Sequence, residues 1–231
     1  FRVVWSDQSV HTIAASALIL RDAGGQPERL VGINRDITAQ KALAEEVRQL
    51  AFLDPLTRLP NRRLLMDRLL HAQQTSRRLG SHGAVLFLDL DGFKQLNDQR
   101  GHDAGDQWLV LVAQRLRDAV READTVARLG GDEFVVVCEN LGSDADQARA
   151  HVALLAGKID QALAEPALLA GQLWQGRCSI GHRMFLGTDD PPDRLLADAD
   201  QAMYRQKQQR RAAAAPPRHT VADDDSAYGD L

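Results

Sequence analysis

Two short runs constrain the fold most. Ala84-Val-Leu-Phe-Leu-Asp-Leu90 is apolar until its end, and Phe134-Val-Val-Val-Cys138 follows directly on Gly130-Gly-Asp-Glu133. Both read as buried strands, and the glycine pair joins the second to Thr125–Leu129 as a hairpin. Helical spacing of apolar residues predicts helices from about Arg62 to Leu79, Ala104 to Glu122, Asp144 to Ala164 and Asp193 to Gln209, with a further strand from about Leu173 to Phe185. Helices and strands in this order predict a mixed α/β (α+β) domain with a central, largely antiparallel sheet.

The chemistry-bearing residues fall at strand ends. Asp89 and Asp91 close an apolar strand, and alternate strand residues share a face, so the two carboxylates project to one side about 6–7 Å apart. A carboxylate in such a place is unfavourable unless it is paired or bound to a cation. Asp132 and Glu133 occupy the tip of the hairpin. If that hairpin lies beside the Asp89 strand, oxygen ligands from two strands converge, an arrangement suited to Mg²⁺. Taken singly, each acid has a plainer reading, Asp91 as the start of a turn and Glu133 as a solvated tip.

Composition narrows the function classes. In 231 residues, Lys and Arg number 28 against 32 Asp and Glu, a net charge of -4 that gives no basic surplus for DNA or RNA. Cys138 and Cys178 lie in apparent buried strands, where a small apolar role in a reducing, cytoplasmic setting fits better than a disulfide or metal site. No apolar run approaches the roughly 18 residues that span a bilayer. With Phe1 first and no leader pattern, the chain is expected to be part of a longer protein whose remainder could carry a membrane anchor.

Several segments together resemble the GGDEF family of diguanylate cyclases: Asp54-Pro-Leu-Thr-Arg-Leu-Pro-Asn-Arg62, Asp89-Leu-Asp-Gly-Phe-Lys-Gln-Leu-Asn-Asp98, Gly101-His-Asp-Ala-Gly-Asp106, Arg128-Leu-Gly-Gly-Asp-Glu-Phe134, Ser179-Ile-Gly181 and Ala199-Asp-Gln-Ala-Met-Tyr-Arg-Gln-Lys207. The resemblance implies a palm-like, ferredoxin-like fold and the joining of two GTP molecules into cyclic di-GMP across a homodimer. It implies two Mg²⁺ (or Mn²⁺) ions per active site, held by Asp89, Asp132 and the Leu90 carbonyl, with Glu133 as second acid. Asp132, Glu133 and Lys94 then belong to the catalytic machinery. Asn97 and Asp106 match guanine-recognising positions, Phe93 and Lys94 a phosphate-contacting turn, and Lys207 and Arg211 cations near the triphosphate. At Arg211 the pattern is broken, because Arg210 replaces the family's usual Gly and Ala212 its Asn. Arg121-Glu-Ala-Asp124 matches the family's product-binding inhibitory site. A domain that binds GTP or cyclic di-GMP without turnover is the alternative, and GTP turnover separates the two.

Residues 1–37 alternate β-rich runs with the breaker Asp22-Ala-Gly-Gly-Gln-Pro27 and resemble the last strands of a PAS sensor domain. They are expected to be a remnant without its ligand-holding half, so they imply no sensor cofactor. Thr38 is expected to cap a connecting helix over 38–52, the cyclase domain to span 53–211, and the biased stretch 212–231 to be a disordered tail.

Overall fold

The computed structural model describes residues 1–187 and 190–214, with side chains as far as Arg210. Strands β1 (Arg2–Val4), β2 (Val10–Arg21) and β3 (Pro27–Asp36) form an antiparallel sheet that leads into α1 (Thr38–Phe52). The domain that follows runs α2 (Arg62–Leu79), β4 (Gly83–Asp91), α3 (Phe93–Arg100), α4 (His102–Ala119), β5 (Thr125–Gly130), β6 (Glu133–Cys138), α5 (Ala145–Ala164), β7 (Ala167–Leu169), β8 (Gln172–Trp174), β9 (Arg177–Phe185) and α6 (Pro192–Ala214).

The main sheet has the order β5-β6-β4-β9, with every neighbouring pair antiparallel. β4 and β5 therefore run parallel with β6 between them, and β6 and β9 run parallel with β4 between them. Two interleaved crossovers of this kind make the ferredoxin-like arrangement. Helices cover both faces, which is why the central strands carry continuous apolar runs rather than an alternation. Leu86, Leu88 and Phe134 pack with Trp108 of α4 and Val152 and Ile159 of α5. Val85, Phe87 and Val135 pack on the opposite face with Leu65 of α2 and Leu195 and Ala199 of α6. Each of the Val, Leu, Ile and Phe side chains contributes about 1.5–3 kcal/mol through burial.

Local signals set the helix ends. The Asn61 side chain accepts from the Leu64 N–H at 3.2 Å to start α2, and Gly80 ends it in a left-handed conformation. Asp144 accepts from Asp146 and Gln147 N–H groups to start α5. Thr38 does not cap α1: it is the first helical residue, its N–H and hydroxyl both donate to Asp36, and its oxygen accepts from the Thr12 N–H. Residue 36 takes the capping position's usual work because its carboxylate reaches two donors at once.

Two elements differ from expectation. The segment after Asp91 forms a helix, α3, whose single buried residue, Leu96, gives too little periodicity to read. The strand expected from Leu173 to Phe185 is broken at Gln175-Gly176, separating the β7–β8 hairpin from β9. Cys138 and Cys178 are buried free thiols, and burial pushes the Cys138 thiol up to about 12. No helix among the described residues is long and apolar enough to cross a membrane. α6 continues to Ala214, and the tail expected over 212–231 lies outside the described residues from 215 onward.

α6 approaches β9 backbone to backbone at Gly181. A Cβ there would lie 1.9 Å from the Met203 nitrogen and 2.3 Å from the Ala199 oxygen, both main-chain atoms that cannot turn aside. Gly181→Ala is therefore expected to lower the unfolding free energy by about 2–3 kcal/mol, measured by urea denaturation; an unchanged midpoint would mean that α6 is not seated on β9 as described.

Candidate active site

The apolar pairing of β4 with β6 fixes the positions of the acids. Leu88 stands opposite Phe134 and Asp89 opposite Glu133, so the hairpin tip meets the end of β4. The Leu90 N–H donates to the Asp132 carbonyl at 3.2 Å, clipping the turn to the strand. Asp89, Glu133 and Lys207 meet on the α6 face, where the Lys207 ammonium donates to the Asp89 carboxylate.

Charge crowding marks this point. Burial and then the neighbouring Asp89 charge raise the Asp132 carboxyl above its ordinary range, with Lys207 and Arg128 opposing. Glu133 faces solvent on one side, yet partial desolvation, then Asp200, Asp132 and Asp89, raise its carboxyl too. A group of carboxylates held in this state favours a cation. Among the described residues, no three His, Cys, Asp or Glu side chains converge into a closed metal cage. The carboxylates of Asp89, Asp132 and Glu133 and the Leu90 carbonyl are hard oxygen donors, and such donors suit an ion that completes its shell with water and phosphate oxygens, as Mg²⁺ does.

Beside the acids lies a groove of about 940 Å³ lined by Leu90, Phe93, Lys94, Asp132 and Lys207. Asp91 also lines it, but its carboxylate accepts the Ser179 hydroxyl at 3.0 Å and is drawn towards β9 rather than to Asp89. The two other expected recognition residues flank α3 and α4. Asn97 on α3 presses its side chain onto Gly105 of α4, where a Cβ would stand 1.9 Å from Asn97 Oδ1. That oxygen is buried with no hydrogen-bond partner. Asp106, the next residue along α4, is exposed. Arg211 lies on α6, but its side chain is outside the described residues; Arg210 is the residue seen lining the groove.

Arg121 and Asp124 stand at the start of β5, the far end of that strand from the Gly-Gly turn. They line a separate cavity of about 410 Å³ with Arg68 and Arg117. Asp124 accepts from the Arg121 and Glu139 N–H groups, and no side-chain ion pair joins Arg121 to Asp124 among the described residues.

One brace was missed in the sequence. The Arg128 guanidinium donates to both Asp54 carboxylate oxygens, at 3.0 and 3.2 Å, and to the Gly131 carbonyl at 2.8 Å. Burial alone would raise the Asp54 carboxyl, but bonds from the Thr57 hydroxyl and N–H, then Arg128, outweigh it and hold the carboxyl low. The Asp54 turn thereby fixes the Gly-Gly turn through a charge-assisted bridge. Asp54-Pro-Leu-Thr57 was visible as a motif; its contact, 74 residues along the chain, was not.

Several known proteins resemble this chain. A bifunctional diguanylate cyclase/cyclic di-GMP phosphodiesterase, MucR of Pseudomonas aeruginosa, is 44% identical over 162 residues, which cover 70% of this chain and 23% of that protein. The diguanylate cyclase TpbB of the same species is 42% identical over 155 residues, 67% of this chain and 35% of that one. The chain thus spans about a quarter to a third of the length of these relatives. The solved GGDEF domain of that protein, YfiN or TpbB, superposes with a TM-score of 0.62 at 41% identity, covering 66% of this chain and 92% of the domain. The coiled coil and GGDEF domain of DgcB from Caulobacter crescentus, solved with c-di-GMP, gives 0.65 at 25% identity, covering 75% and 89%. Residues 51–213 match the family described as diguanylate cyclase, GGDEF domain, and the chain belongs to that family.

Proposed function

We propose that this chain condenses two GTP molecules into cyclic di-GMP with release of two pyrophosphates. The observation that supports it most is the opposition of Asp89 and Glu133 at the β4–β6 end, next to a groove that Asp132, Lys94 and Lys207 line. The 3′-oxygen of one GTP forms a bond to the α-phosphorus of another, the bond to pyrophosphate breaks, and the hydroxyl proton departs; the step then repeats in the other direction. Each domain holds one GTP, so turnover needs two copies face to face.

Asp89, Asp132 and the Leu90 carbonyl would hold the divalent metal, with Glu133 as further acid. When bound, Mg²⁺ or Mn²⁺ supplies charge neutralisation at the α-phosphate and a lowered pKa for the attacking hydroxyl. Phe93 and Lys94 position the phosphates at the start of α3, and Lys94 and Lys207 offset charge on the departing pyrophosphate. The unpartnered Asn97 oxygen and the exposed Asp106 carboxylate are acceptors suited to the N–H groups of guanine, a donor pair that adenine lacks. That chemistry selects GTP over ATP.

The cavity at Arg121 and Asp124 is read as a product-inhibition site, since guanidinium groups of Arg68, Arg117 and Arg121 beside the carboxylates of Glu122, Asp124 and Glu139 offer donors for phosphate and acceptors for the guanine edge of cyclic di-GMP. The N-terminal hairpin is read as the end of a PAS sensor, with α1 carrying its signal. Leu43, Val47 and Leu50 on α1 are exposed at spacings of four and three, a pattern that pairs with its copy in a dimer. The free thiols favour a reducing cytoplasmic setting.

Purified protein incubated with GTP and Mg²⁺ at several protein concentrations is expected to form cyclic di-GMP, with turnover per chain rising as concentration rises. No dinucleotide at any concentration would contradict the proposal. Asp132→Asn tests the acid cluster separately. A raised carboxyl pKa means that the folded state binds its proton more tightly than the unfolded chain, so stability falls as pH rises from the unfolded value through the folded one. At pH 7 without metal, Asp132→Asn should therefore melt no lower than the parent. It should also lose the rise in Tm that Mg²⁺ gives the parent, and lose turnover by about 100-fold or more. A variant that keeps the Mg²⁺-dependent Tm rise would remove Asp132 from the site.

A further inference from the structure

The groove has a second cationic side that neither Lys94 nor Lys207 accounts for. Arg177 opens β9 directly opposite Asp91, and Arg210 lies one helical turn beyond Lys207 on α6; both line the groove. Residues three apart on a helix share a face, so Arg210 extends the line that Lys207 begins. Arg210 is partly pinned. Its Nη1 donates to the Cys178 carbonyl at 2.6 Å and lies 3.9 Å from Asp91, and its Nη2 lies 3.8 Å from Asp160. One of the guanidinium's five N–H groups is thus committed to a hydrogen bond, and the fork keeps a fixed orientation. Arg177 is exposed, and its side chain makes no hydrogen bond or ion pair with a described residue.

We propose that Arg177 and Arg210 form a cation pair that takes the terminal phosphates of the bound nucleoside triphosphate. The assignment rests on the groove being a nucleotide site, as argued above, and extends it to two residues outside the resemblance; Arg210 stands where the family usually has Gly. Position decides which part of the ligand they meet. Asp91 stands opposite Arg177 and Arg210 lies one turn past Lys207, and both arginines line the same groove as Lys94 and Lys207, the residues read as phosphate contacts, whereas Asn97 does not line it. A pinned guanidinium offers paired donors to phosphate oxygens at little entropic loss.

Calorimetric titration of the whole chain with GTP, GDP and GMP in Mg²⁺ tests this. Arg177→Ala is expected to weaken GTP binding about tenfold, a loss of one charge-assisted contact, while GMP binding changes less than twofold and GDP falls between. Arg210→Ala should do the same, and Arg210→Lys should recover part of the loss. Equal weakening of GTP and GMP, or no change in either, overturns the pair. Arg177 has no partner to disturb, so its result stands even if Arg210→Ala loosens α6. Turnover of the parent protein is read alongside: no dinucleotide with the phosphate ladder intact removes the cyclase reading and leaves the arginine pair, whereas a flat ladder in an active protein removes the pair alone.

Discussion

The site depends on one strand pairing, Asp89 of β4 directly opposite Glu133 of β6. Like charges at opposed strand positions repel, and here burial and Asp132 add to the repulsion. The register nevertheless holds, because a slip of one residue would turn Val85, Phe87, Val135 and Val137 away from α2 and α6 and towards the wrong helices. The core thus sustains an electrostatic conflict at its edge. Lys207, Arg128 and Arg62 ease that conflict, and a bound cation would ease it further.

Three contacts hold the elements around this pair together. Gly181 lets α6 lie on β9 and so brings Lys207 over Asp89. Arg128 ties the Gly-Gly turn to the Asp54 turn. Gly105 leaves room for Asn97, so that α3 and α4 close together where a base would enter. Each contact seats a candidate site residue against packed backbone or a charged partner, which is how a site keeps its geometry without a ligand.

Much of this was legible in the sequence, for physical reasons that vary by element. The buried strands declared themselves through continuous apolar runs, and the hairpin through its glycine pair. The central, largely antiparallel sheet then followed from the alternation of helices and strands, whereas the strand order did not. α3 escaped notice because eight largely polar residues carry no periodicity, and the β8–β9 break because apolar residues lie on both sides of it. The acids were readable from strand alternation and from the resemblance. Asp91 shares their face but turns to Ser179, a partner 88 residues away that no local pattern predicts. The same limit hid the Asp54–Arg128 bridge. It also hid Arg210, whose place in the groove depends on how far α6 continues.

The proposed function requires oxygen ligands from two strands to form one cation site beside a guanine pocket. The most direct test is a crystal structure of the chain with Mg²⁺ and a non-hydrolysable GTP analogue. Metal held by the carboxylates of Asp89 and Asp132, with the guanine against Asn97 and Asp106, is the expected result. Metal bound away from Asp89 and Asp132, or a base lying outside the α3–α4 junction, would contradict it.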